Sequence, residues 1–238
     1  MIPPLKFVPR SEWGAKPPAK AWRWDSLNPS EAWLHHTVGY SGGGAGYMRQ
    51  MQAQHQSQGW TDVAYHDVLD PATLTVYEGT PCGARPAAQK GHNVDTYTLC
   101  VMGNFNTEAV PASLTTALGV WVAWRHRGHN APDQLDGGHR DAPGQATTGP
   151  GKNLHAEIPA INARITEALM AQEHIAADRI DAYGDHPGID AWAETSFAHW
   201  LEHGVFGPDT GPDAVMTSER LGALFERFER YLARRYGL

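Results

Sequence analysis

Histidine binds transition metals and moves protons near neutral pH more readily than any other side chain, and this chain carries 13 of them in 238 residues. They gather at His35-His36 in AWLHHT, at His126 and His129 in RHRGHN, and at His139 in GGHRD. Most histidines in a soluble chain serve ordinary surface or core roles; His35, His36 and His139 stand out by their settings. The first two end a strand pattern just before a glycine-rich loop, where a rigid scaffold presents side chains to a cleft. Adjacent strand residues point to opposite faces, so only one of the pair can aim at a given site. His139 follows two glycines in an open loop. Two histidines so far apart meet only through the fold, and their spacing does not certify a zinc site as a compact His-Glu-x-x-His motif would.

The loop His139 to Leu154, HRDAPGQATTGPGKNL, reads as half of a metal site. It opens on a histidine beside an arginine and an aspartate, and closes in Gly-Pro-Gly where a ligand is expected. GWTDVAYH, Gly59 to His66, adds Tyr65, whose hydroxyl could donate a hydrogen bond to a developing oxyanion; the alternative is a core or edge-strand tyrosine. Nucleophilic alternatives are weaker. No Gly-x-Ser-x-Gly elbow is present, and neither Cys82 nor Cys100 has an activating context. Two cysteines exclude a disulfide framework or a four-cysteine zinc knot and leave one conceivable disulfide.

The elements that must position these residues follow from periodicity. Ala32 to Thr37 reads as a buried strand, Ala45 to Ser57 as a helix, and Tyr65 to Leu69 and Thr73 to Glu78 as two strands around Asp70-Pro71-Ala72. A further strand spans Tyr97 to Met102. From Pro111, ASLTTALGVWVAWRHRG is helical, with Gly128 as its stop. Pro159 to Ala171 forms another helix, with Ile161, Ile165 and Leu169 on one stripe. Arg10 to Pro18 is turn-rich. Strands interleaved with helices give an α/β fold with a mixed central β-sheet flanked by helices.

The pattern ends near Gln172, and a polar connector follows. This divides the chain into residues 1–172 as the main domain, 173–189 as a linker and 190–238 as a small helical region. In that tail Trp192 to His203 reads as one helix, and Ser218 is the N-cap of another. A net charge of −7 provides no basic footprint for nucleic acid. No apolar run is long enough to span a bilayer, and MIPPLKFVPR has no export-signal pattern. Stable membrane insertion is not expected.

RSEWGA, the strand ending HHT, GWTDVAYH, VYEG, MGNF and GHRD followed by PG form an ordered set over roughly Phe7 to Met170. The set resembles zinc-dependent N-acetylmuramoyl-L-alanine amidases of the phage endolysin type and the related peptidoglycan recognition proteins. The resemblance implies a groove for bacterial peptidoglycan and hydrolysis of the amide between muramic acid and L-alanine by a zinc-activated water. It makes His35 and His139 zinc ligands, and Tyr65 and Thr147 the groups that assist at the scissile carbonyl. His36, Thr37, Trp60, His66, Asn93 and Arg140 are the expected substrate contacts. An endolysin would wait in the host cytoplasm until lysis and then act on the cell wall.

This chain departs from the family pattern at two places. The third ligand, a cysteine or in a related branch an aspartate just before Pro-Gly, is replaced by Gly149. Gly149 has three readings: an engineered inactivation, a natural variant whose site another group rebuilds, with Asp141 and His155 nearest, or a protein that binds peptidoglycan without cutting it. In GARPAAQKGHN, Arg85 or Ala88 stands where the family often has a groove histidine. The tail from Asp190 to Phe228 is similar to one surface-layer-homology unit, which implies wall attachment; an amphipathic helix pair that docks or dimerises is the alternative. Oligomeric state is open.

Overall fold

The structure, a computed structural model, describes residues 5–25, 28–39 and 42–183, with side chains as far as Ala171. Six strands form one sheet: β1 (Lys6–Val8), β2 (Glu31–His36), β3 (Asp67–Asp70), β4 (Thr75–Glu78), β5 (Thr96–Val101) and β6 (Gly137–Gly138). Their spatial order is β1-β4-β3-β5-β2-β6. The β3–β4 hairpin is antiparallel and every other pairing is parallel. The expected mixed sheet flanked by helices is the observed fold.

Strands β2 and β5 lie at the sheet centre with both faces covered, so EAWLHH and TYTLCV are nearly continuously buried. On one face Leu34, Leu99, Val101 and Val76 pack under α3 (Ala112–Arg127) and α5 (Ile158–Tyr183), whose Leu118, Trp121, Ile161 and Ile165 complete that core. These helices approach so closely that a Cβ on Gly119 would lie 2.4 Å from Arg164 Cβ. On the other face Val8, Val68, Cys100 and Met102 pack with Met48 and Met51 of α2 (Gly44–Ser57) and with Trp13 of the single-turn α1 (Arg10–Trp13). The Asp70 carboxylate accepts the Gly42 and Gly44 amides at 2.8 and 3.1 Å, which ties the start of α2 to the β3–β4 turn.

Some boundaries differ from the sequence pattern. Tyr65 and His66 precede β3 rather than lie in it. The turn-rich Arg10 to Pro18 opens with α1, closed by Gly14 at φ 78°. The short strands β1 and β6 carry no alternation long enough to read. Helix α5 does not stop at Gln172 but runs to Tyr183, because the intervening residues include good helix formers and no glycine or proline occurs before Gly184. Part of the expected linker is therefore helical, while the two tail helices lie outside the described residues. Cys82 and Cys100 are both free thiols, so the conceivable disulfide is not formed. Among the described residues no helix is long and apolar enough to cross a membrane.

Candidate functional site

Register decides which histidine faces the site. His35 pairs with Cys100 and His36 with Val101, so His35 shares the α2 face with Cys100 while His36 shares the α3/α5 face with Val101. His36 is buried there, and its Nδ1 accepts the Phe105 amide at 3.2 Å. His35 has 2% of its surface exposed, and its buried Nε2 has no hydrogen-bond partner among the described residues. Burial first, then His139 and His36 nearby, holds its pKa well below the ordinary value.

Tyr65 reaches His35 because its segment is clamped. Asp62 accepts Arg10 at 2.7 Å and Gln52 at 2.8 Å. The Ala64 amide donates to His55 Nδ1 at 3.0 Å, and the Tyr65 carbonyl accepts the Thr80 amide at 2.8 Å. The ring centroids of Tyr65 and His35 are then 5.1 Å apart. Burial, then the neighbouring Cys100, pushes the Tyr65 pKa well up, so its hydroxyl stays a donor.

The loop after β6 brings the second histidine. Gly137 and Gly138 pair with Trp33 and Leu34, which places His139 beside the end of β2, with 4.7 Å between the ring centroids of His35 and His139. Arg140 holds the far end of the loop: its backbone amide and Nε donate to the Gly149 carbonyl at 2.9 and 3.3 Å, and its guanidinium also bonds the Thr148 carbonyl. Thr147 Oγ1 accepts the Gly149 amide at 3.2 Å. Burial lowers the His139 pKa, opposed by Gln145. The centre is thus two facing neutral imidazoles with the Tyr65 ring on one side, its hydroxyl hydrogen-bonded to Cys100.

Gly149 forms the third corner. A Cβ there would lie 3.6 Å from His139 Nδ1, 3.6 Å from Thr147 Oγ1 and 3.2 Å from His139 Cβ. The backbone directs residue 149 at the site, but glycine supplies no donor atom. Catalytic zinc takes three protein ligands and a water, and among the described residues no three His, Cys, Asp or Glu side chains converge. Asp141 and His155 do not fill the gap. They pair with each other at 2.8 Å, and Asp141 also accepts the Gly138 amide at 2.8 Å. The residues present do not fit a three-ligand catalytic zinc.

The other expected contacts have mixed roles. Thr37 Oγ1 accepts the Gly39 and Gly103 amides at 3.2 and 3.1 Å. His66 is enclosed: Nε2 meets the Ala84 carbonyl at 3.0 Å and Nδ1 accepts the Thr98 amide at 3.0 Å. Asn93 Oδ1 accepts the Gln89 amide at 2.8 Å, shaping its own loop. Trp60 is partly exposed, its ring 4.7 Å from that of His55. Arg85 is turned to Asp25 in a two-point ion pair of 2.8 and 2.6 Å. Sequence reasoning missed Gln145, six residues after His139 in a polar loop with no motif to mark it. Its Oε1 lies 3.2 Å from His139 Nε2.

Comparison with known proteins agrees with this architecture. Among solved structures, Drosophila peptidoglycan recognition protein SD superposes with a TM-score of 0.59 at 27% identity, covering 64% of this chain and 92% of that one. Wild-type Drosophila PGRP-LB gives 0.59 and 27%, covering 66% and 94%. Peptidoglycan recognition protein LE, solved in complex with tracheal cytotoxin, a monomeric diaminopimelic acid-type peptidoglycan, gives 0.59 and 26%, covering 65% and 93%. No curated protein sequence matches the chain. The family model described as N-acetylmuramoyl-L-alanine amidase matches residues 25–152, more than half of the chain and all of the site from His35 to Gly149, and the protein belongs to that amidase family.

Proposed function

We propose that this protein binds peptidoglycan through the face that carries His35, Tyr65 and His139, and that it does not cleave the muramoyl-alanine amide efficiently. The absence of a donor side chain at Gly149 carries this reading. Without the third ligand, two imidazoles hold zinc weakly, and a water is not brought to a pKa of about 7 as it is on a fully ligated zinc. What remains suits recognition: an aromatic ring beside His35, an imidazole acceptor and a loop held by Arg140. Peptidoglycan as ligand is supported by the family and by relatives solved with a peptidoglycan fragment.

Calorimetric titration of a soluble muramyl tripeptide into the full chain tests the reading. Saturable binding, unchanged by added zinc or chelator, is expected. Absence of binding at millimolar ligand would refute it.

A second reading, a hydrolase of the endolysin type, is supported by the Tyr65 ring beside His35 and by Thr147 Oγ1 3.6 Å from the Gly149 corner. In either case residues 190–238 would attach the protein to the wall. Their removal then weakens co-sedimentation with intact cell walls and leaves muramyl-peptide binding unchanged; undiminished sedimentation would sink the attachment role.

A further inference from the structure

Gln145 joins His139 to the loop that holds Lys90. Its Nε2 donates to the Lys90 carbonyl at 2.8 Å and lies 3.4 Å from the Pro143 carbonyl. Both are acceptors only, so the amide cannot be turned round without setting oxygen against oxygen. Its Oε1 must therefore be the atom facing His139 Nε2 at 3.2 Å. An acceptor there requires that Nε2 carry the proton, which leaves the lone pair of the neutral ring on Nδ1. Nδ1 is the nitrogen nearest the Gly149 corner, 3.6 Å from where a Cβ would stand, and it has no hydrogen-bond partner among the described residues.

We propose that Gln145 fixes His139 as a hydrogen-bond acceptor at Nδ1, so that the centre of the site takes an N–H or O–H of its ligand rather than a carbonyl oxygen. This inverts the polarity expected of a metal centre, where a cation draws in the carbonyl oxygen. A lone pair facing a carbonyl oxygen repels it, whereas a muramyl-peptide amide N–H or a sugar hydroxyl completes the imidazole. Gln145 is a positioning residue: it acts through the ring it orients. The proposal rests on the binding reading above.

Two measurements on the full chain test it. In ¹⁵N-histidine-labelled protein, the His139 Nε2–H should appear as a slowly exchanging downfield proton, assigned by its loss in His139→Phe, and it should vanish in Gln145→Met. In parallel, N-acetylmuramyl-L-alanyl-D-isoglutamine is titrated beside its ester analogue, in which oxygen replaces the N–H between the lactyl carbonyl and the first residue. The wild type should prefer the amide by about tenfold, the worth of one buried hydrogen bond, and Gln145→Met should lose most of that preference. A proton on Nδ1 overturns the positioning role. Equal binding of amide and ester overturns the ligand assignment while the binding function stands. Binding of neither refutes the binding reading and the ligand assignment together, and the proton signal still decides the role of Gln145. If Gln145→Met fails to fold, the wild-type signal and the wild-type amide preference decide the matter.

Discussion

At the residue scale, the histidines divide into those that face the site and those that hold the frame, and the division was only partly legible. Strand alternation says that one of His35 and His36 faces the site, but their register against Cys100 and Val101 is needed to say which. The role of His66 could not be read, because Ala84 and Thr98, which satisfy its two nitrogens, come from distant segments. Burial lowers the pKa of both His55 and His66 from 6.5 to about 4. Each is neutral when folded, and the unfolded chain binds more protons between those values. Their contribution to stability is full above about pH 6.5 and is lost as pH falls toward about 4. Urea titrations from pH 7 to 4 should show unfolding free energy falling, with His55 and His66 together contributing a slope approaching about two protons. A His55→Gln, His66→Gln protein should show a shallower slope, and an identical slope in the two proteins contradicts the assignment.

At the element scale, the long periodic segments were readable and the short ones were not. Helix α3 and strands β2 and β5 follow from apolar spacing, whereas β1 and β6 have three and two residues and exist because the sheet accepts them. The contact that locks α3 to the sheet is also invisible in sequence. Asp67 of β3 accepts Tyr97 at 2.6 Å, Trp121 at 2.9 Å and Arg125 at 2.8 and 2.6 Å. Burial opposes the Arg125 charge, yet Asp67 holds its pKa well up. Removing one partner strands a buried charge, which costs about 3–5 kcal/mol. Asp67→Ala should therefore lower Tm by roughly 10 °C in calorimetry, and a loss under about 2 °C would show that the pair contributes little to the fold. Gly119 belongs to the same scale: periodicity makes it helical, while the closeness of Arg164 explains why it is glycine.

At the scale of the whole molecule, the ordered motifs identified the family and the fold, and they marked Gly149 as the position that matters. Sequence alone could not decide whether Asp141 or His155 replaces the missing ligand; their mutual hydrogen bond at 2.8 Å does. It also gave no sign of Gln145, because the contact depends on how the 139–151 loop folds back toward Lys90. The backbone still presents residue 149 to His139 and Thr147, and a side chain there needs only a few tenths of an ångström from His139 Cβ. The most direct measurement sets the full chain beside Gly149→Cys and reads zinc per chain and release of the stem peptide from muramyl tripeptide by mass spectrometry. The Gly149 chain should bind the tripeptide and release no stem peptide within hours, while the cysteine variant retains about one zinc and cleaves at least 100-fold faster, as expected when a zinc-bound hydroxide becomes available near neutral pH. Cleavage by the Gly149 chain at a rate matching that of Gly149→Cys would contradict the binding reading.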